Sequence, residues 1–186
     1  MIVLSGASAS GKTEAAKMLM SKYGIQKAIT TTTRNMRQNE VNGRDYFFVS
    51  QEEFKKMIKD ELFVEHTLYN GNYYGSTKAQ IADNRSVVTD LEGLKSYSAL
   101  QDPKIVTFYL KTSEDVRFKR MLERGDKESD VHRRIENDRI IFRDENIPKV
   151  DFRIDSENKN IEQVADEIYR LYWKKLKINQ IGRAHV

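Results

Sequence analysis

Residues 6–13 read Gly6-Ala7-Ser8-Ala9-Ser10-Gly11-Lys12-Thr13. Two glycines five positions apart, followed at once by a lysine and a hydroxyl residue, point to phosphate chemistry. The glycines let the chain curl until successive N–H groups face a common centre, and a helix starting there adds its positive dipole end. In such a cradle Lys12 would reach the β- and γ-phosphates of a nucleoside triphosphate, and the Thr13 hydroxyl would ligate Mg²⁺. The loop alone does not say what becomes of the phosphate, because hydrolysis, switching and transfer all use such loops.

Two further groups of residues carry chemistry. Arg34 and Arg37 stand three apart behind the run Thr30-Thr31-Thr32-Thr33, close enough to converge on one dianionic phosphate, for which guanidinium forks are well shaped. Tyr46 and Tyr74 can each add a hydroxyl donor. Glu65 follows Phe63-Val64, two apolar residues that should anchor its carboxylate. Further on come Lys119-Arg120-Met121-Leu122-Glu123-Arg124-Gly125 and Val131-His132-Arg133-Arg134-Ile135. Cations gathered like this can close over a phosphoryl group in flight, although helices rich in Arg and Glu are also ordinary solvated faces. His66, His132 and Trp173 read as surface or packing residues, and Arg133 and Arg139 as surface.

The stretch from Thr30 to Tyr46, then Phe63-Val64-Glu65, then Gly71-Asn72-Tyr73-Tyr74-Gly75-Ser76, resembles three blocks of the guanylate kinases in the same order and at matching separation. With the glycine loop and the arginine-rich segments, the resemblance runs from about Ile2 to Ile135. It implies a transfer of phosphate from ATP to GMP with Mg²⁺, and leaves open whether dGMP is also an acceptor. It implies that Arg34, Arg37, Tyr46 and Tyr74 grip the acceptor phosphate and that Asp90 lies on the acceptor side. It also implies that Glu65 accepts the two adjacent donors of guanine, with Thr30 and Ser76 as hydroxyl partners. An adenine would present a lone pair to Glu65 and be repelled. Lys12, Arg120, Arg124 and Arg134 fall on the catalytic loop and lid positions. Two departures stand out: Ala7 and Ala9 occupy positions that are usually proline and glycine, and Val88-Thr89-Asp90 lacks the first of two acids.

These residues need a frame to hold them. Ile2 to Leu4 reads as a buried strand, Thr13 to Lys22 as a helix, and Ser50-Gln51-Glu52-Glu53 as a capping box opening a helix to about Lys59. Val87 to Asp90 and Ile105 to Leu110 read as core strands, and an Asp at the end of the former suggests a carboxylate facing the metal. A helix follows Thr112 to Asp115, and Ile161, Val164, Ala165, Ile168, Leu171 and Tyr172 recur at helical spacing. Strands alternating with helices predict an α/β fold with a parallel sheet flanked by helices, and the resemblance implies that this fold is of the P-loop NTPase type. The expected division is a single domain over 1–180, with a core of 1–29, 85–119 and 139–180. An acceptor-binding excursion occupies 30–84 and a helical lid 120–138. Residues 181–186 resemble a translated sequencing adapter and read as a non-native tail.

With 186 residues and no cysteine, the chain has room for a substantial core, and disulfides, thiolate catalysis and zinc-finger ligation are excluded. The net charge of +4 is spread among interleaved acids and bases, which argues against nucleic acid as a partner, and no apolar run is long enough for a membrane span. A cytoplasmic protein is expected, with ATP and GMP as its partners. Two alternatives stay open. One is a non-catalytic interaction module of the same shape, although such modules typically lose the loop that Gly11, Lys12 and Thr13 keep. The other is a kinase of a different phosphorylated small acceptor.

Overall fold

A computed structural model describes residues 1–184. Nine strands are found there: β1 Ile2–Ser5, β2 Gln26–Lys27, β3 Thr31–Thr32, β4 Phe47–Phe48, β5 Phe63–Tyr69, β6 Asn72–Thr77, β7 Arg85–Val88, β8 Val106–Lys111 and β9 Phe152–Asp155. Six α-helices accompany them: α1 Lys12–Tyr23, α2 Gln51–Lys59, α3 Leu91–Ala99, α4 Glu114–Glu123, α5 Glu128–Ile141 and α6 Ile161–Ala184. Helix α6 thus runs through part of the tail, while His185 and Val186 lie outside the described residues. No described helix is long and apolar enough to cross a membrane.

The main sheet has the order β2-β7-β1-β8-β9 with every pairing parallel. Strand β1 is buried along its whole length because both faces are covered. Ile2 and Leu4 enter a core shared with Ala15 and Leu19 of α1 and Val164, Ala165, Ile168 and Tyr172 of α6. Met1 and Val3, alternating with them, enter a second core with Leu91, Leu94 and Tyr97 of α3. Two consequences matter for function. The loop after β1 emerges at the carboxyl edge, between the loops after β7 and β8. Open α/β sheets place their ligands at such an edge.

The excursion builds a second sheet of order β4-β3-β6-β5. Its hairpin β5–β6 turns through Asn70 (φ 48) and Gly71 (φ 75), the pair that a two-residue turn of this hand requires. Helix α2 starts where expected, with Ser50 Oγ accepting from the Glu53 N–H at 3.0 Å. It locks onto the sheet through Phe54, whose ring stacks on Phe63 at 4.4 Å and on Tyr73 at 5.2 Å.

The expected lid segment 120–138 lies within the packed helices α4 and α5, which begin before it and end after it. Ser113 caps α4, and Met121, Val131 and Ile135 form a small core of their own, with Ala9 and Phe118 packed against it. Strand β7 stops at Val88, so Asp90 is not a strand end. It caps α3 instead, its Oδ1 accepting from the Gly93 N–H at 2.8 Å.

Gly6 joins β1 to the loop in a space with no room for a side chain. A Cβ there would sit 2.7 Å from the Leu110 carbonyl and 2.6 Å from Ser10 Oγ. Gly6→Ala is expected to destabilise the fold by about 1–3 kcal/mol, read as a lower urea midpoint at unchanged slope.

Candidate active site

Two cavities open at the carboxyl edge of the main sheet. The first, about 560 Å³, is lined by Ala9 to Thr13, by Arg120 and Arg124, and by Ser156, Lys159, Asn160 and Ile161. The second, about 760 Å³, is lined by Thr30, Glu65, Tyr74 and Ser76 of the excursion and by Thr89 and Asp90 of the core.

The loop is only in part the inward-facing cradle that the sequence suggests. Ala9 to Thr13 line the first cavity, whereas Gly6, Ala7 and Ser8 do not. The Ser8 N–H donates to Asp138 Oδ2 at 2.9 Å and the Ser10 N–H to the Ala7 carbonyl at 3.1 Å. Those two amides are engaged within the protein. Lys12 curls back over the loop, its Nζ donating to the carbonyls of Gly6 at 2.6 Å and Ala7 at 2.9 Å. Burial draws its ammonium down to about 8, with the Asp138 carboxylate opposing that shift and Arg117 adding to it. Thr13 follows in the first turn of α1 and lines the cavity.

Of the lid arginines, Arg120 is the most deeply engaged. Its Nη1 donates to the Ala9 carbonyl at 3.2 Å and its Nη2 to the Ser156 carbonyl at 2.8 Å. Arg124 lines the same cavity and is held by Asp126 at 2.6 Å. Arg134 is not brought to the cavity. Half-exposed on α5, it lies 3.5 Å from the same Asp126, so it reaches the site only through that carboxylate.

In the second cavity Glu65 is the central group. Thr89 Oγ1 donates to its Oε1 at 3.4 Å, and Gly93 makes room for the carboxylate, since a Cβ there would lie 2.4 Å from Oε2. Burial, then the neighbouring Asp90 carboxylate, push the Glu65 pKa up, against the hydroxyls of Thr89 and Ser76. Arg34 stands beside this cavity at Tyr74. Its guanidinium pairs bidentately with Glu40 at 3.1 and 2.7 Å and lies over the rings of Tyr46 at 5.3 Å and Phe48 at 5.6 Å. The Tyr46 and Tyr74 rings meet edge to face at 6.4 Å. Arg37 is exposed and, among the described residues, forms no ion pair; its backbone N–H donates to Glu40 at 2.8 Å. Asp90 sits with this group and not with Thr13, which corrects the expectation of a metal-facing carboxylate on that strand. Among the described residues no three His, Cys, Asp or Glu side chains cluster as a metal site.

The sequence model of the guanylate kinases matches residues 1–175. The chain belongs to the guanylate kinase family. The guanylate kinase of Wolbachia pipientis wMel is 30% identical over 190 residues, covering 95% of this chain and 92% of the relative. That of Chlorobaculum tepidum is 32% identical over 136 residues, covering 69% of this chain and 70% of the relative. A solved guanylate kinase from Anaplasma phagocytophilum superposes with a TM-score of 0.55 at 26% identity, covering 95% of this chain and 85% of the other.

Within this family member, several residues at the cavities carried no readable sequence signal. Ser156, Lys159 and Asn160 follow β9, whose residues Phe152-Arg153-Ile154-Asp155 are too polar to announce a core strand. Thr89, which bonds to Glu65, sits in a segment that reads simply as strand. Arg117 and Asp138, buried as an ion pair at 2.8 Å, sit among charged residues that look like solvated helix surface. The Asp90 carboxylate raises the Glu65 pKa and the Thr89 hydroxyl lowers it. By carboxyl-carbon NMR titration, Asp90→Asn is therefore expected to move the Glu65 pKa down, and Thr89→Val to move it up.

Proposed function

We propose that the chain transfers the γ-phosphoryl group of ATP to GMP, yielding ADP and GDP. The observation that carries this reading is the pairing of two cavities at one sheet edge. One carries a phosphate loop with Lys12 and two lid arginines, and the other a buried carboxylate beside an arginine and two tyrosines.

In this reading ATP lies in the first cavity, its phosphates against Ala9 to Thr13. Lys12 exchanges its carbonyl partners for the β- and γ-phosphate oxygens, a stronger charge-assisted bond. The Thr13 hydroxyl would hold a Mg²⁺ ion carried by the nucleotide, and that ion would supply neutralisation of charge on the phosphate oxygens. GMP lies in the second cavity. Glu65 accepts from guanine N1–H and the exocyclic amine, while Thr30 and Ser76 offer hydroxyls to its remaining edge. Arg34, with Tyr46, Tyr74 and Arg37, takes the GMP phosphate, and Asp90 lies on the acceptor side of the same cavity. An oxygen of that phosphate attacks the γ-phosphorus in line. The bond from the γ-phosphorus to the bridging oxygen breaks, and ADP leaves with that electron pair. Arg120 and Arg124 lie where the transferred group's charge needs cations, and Arg134 steadies Arg124 through Asp126.

A coupled ADP-release assay over GMP, dGMP, AMP, CMP and UMP tests the whole reading. GMP is expected to lead by orders of magnitude, and Lys12→Ala to lose at least about a hundredfold in kcat. Equal turnover of AMP would remove the base assignment, and GMP binding without turnover would leave a non-catalytic module. The raised pKa of Glu65 adds a pH signature. Only its ionised form accepts both guanine donors, so KM for GMP is expected to climb on acidification, beginning above the ordinary carboxylate range, while KM for ATP holds. In Glu65→Gln that acid limb is expected to vanish together with most of the preference for guanine.

A further inference from the structure

The first half of the phosphate loop is held from outside, by the lid helices. Asp138 of α5 accepts the Ser8 N–H at 2.9 Å. Arg117 of α4 reaches the Ser8 carbonyl at 3.4 Å and pairs with Asp138 at 2.8 Å. Arg120 donates to the Ala9 carbonyl at 3.2 Å, and Ala9 itself packs on the Met121, Val131 and Ile135 cluster. The residue at the centre of these contacts is strained. Ala9 has φ 60, a left-handed conformation that a residue with a Cβ rarely adopts. Such a conformation persists only where its surroundings impose it.

We propose that the buried Arg117–Asp138 pair is a positioning clamp that imposes the left-handed turn at Ala9 and so fixes the phosphate loop in its ATP-binding shape from the lid helices. Neither residue lines the first cavity, so both act through the loop and not on the nucleotide. The pair is a poor candidate for a purely stabilising element, because Arg117 Nε has no acceptor among the described residues. Buried ion pairs can often be replaced by apolar residues of like volume without loss of stability. This inference rests on the reading of residues 6–13 as the seat of the ATP phosphates.

The test uses the full chain carrying Arg117→Met with Asp138→Leu, which removes the clamp while filling its space. Calorimetric ADP binding is expected to weaken by about tenfold or more, since small misplacements of a binding group are costly. GMP binding is expected to stay within about twofold. Adding Ala9→Gly, which lets the backbone take the left-handed turn unaided, is expected to restore most of the lost ADP affinity. ADP binding within about twofold of the unaltered chain after clamp removal, or no recovery on adding Ala9→Gly, would overturn the proposal. Should the double variant not fold, amide exchange decides in the unaltered, nucleotide-free protein. The Ser8 N–H is expected to exchange at least about a hundredfold more slowly than a free amide, and exchange at the free rate would overturn the clamp. An unaltered chain that binds no ADP yet protects Ser8 would count against the ATP reading and leave the clamp standing.

Discussion

Cationic side chains gathered at one cleft repel one another, and each loses hydration as it is drawn in, so every one needs an acceptor nearby. This requirement organises the site. Lys12 takes the carbonyls of Gly6 and Ala7, Arg120 those of Ala9 and Ser156, and Arg34 the carboxylate of Glu40. Arg124 and Arg134 share Asp126, and Arg117 has Asp138. The kind of acceptor differs with place. Around the loop it is mostly the neutral backbone carbonyl, which a phosphate oxygen can displace. Behind the loop it is a full carboxylate, at a distance where exchange would leave a buried charge unpaired. By their partners, Lys12 and Arg120 are free to change to a phosphate oxygen, whereas Arg117, paired with a buried carboxylate, is fixed.

The fold supplies those acceptors by bringing distant segments to one sheet edge. Ser156 directly follows β9, the strand after helices α4 and α5, and its carbonyl meets Arg120 because β9 pairs beside β8 and ends at the same edge. Glu65 meets Thr89 across two sheets because α3, capped by Asp90, packs under β5 at Gly93. The second sheet is held largely by stacked aromatics around Phe54 and by the buried threonines Thr31 and Thr32. That arrangement holds the rings of Tyr46 and Phe48, over which the Arg34 guanidinium lies, with Tyr74 edge-on to Tyr46.

Legibility in the sequence followed how local each signal was. The glycine loop, the cap at Ser50 and the apolar stripe of α6 depend on neighbours in the chain, and all three read directly. Strand β2 is two exposed residues, Gln26 and Lys27, and exists only because β7 offers it a partner. The hairpin β5–β6 did carry a local mark, the dipeptide Asn70-Gly71, overshadowed there by the polar crowding around it. Strand β7 shows the limit of an apolar run ending in Asp: the pattern cannot tell a carboxylate presented at a strand end from one turned back to cap the next helix. The pairing of Arg117 with Asp138 was illegible in principle, since charged residues in Arg- and Glu-rich helices are surface unless something distant buries them. What buried them is the loop, which lies far away in sequence.

The metal question follows from the same distribution of acids. Glu40, Asp90, Asp126 and Asp138 are each tied to an arginine or a helix start, and Glu65 stands in the other cavity. On the loop side Glu14 lines the first cavity but pairs with Lys17 at 3.3 Å, and the Thr13 hydroxyl is the oxygen ligand that the loop pattern assigns to a divalent cation. A single hydroxyl is far too weak a donor set to hold Mg²⁺ alone, because that ion keeps its waters and favours anionic oxygens in octahedral geometry. The triphosphate provides such oxygens. A site so arranged would take up its metal only as the nucleotide complex, and the protein would have no carboxylate cage to compete with the phosphates for it. That division of ligands also leaves Lys12 and Arg120 bonded to backbone carbonyls and not to a carboxylate, so each can change partner when a phosphate arrives.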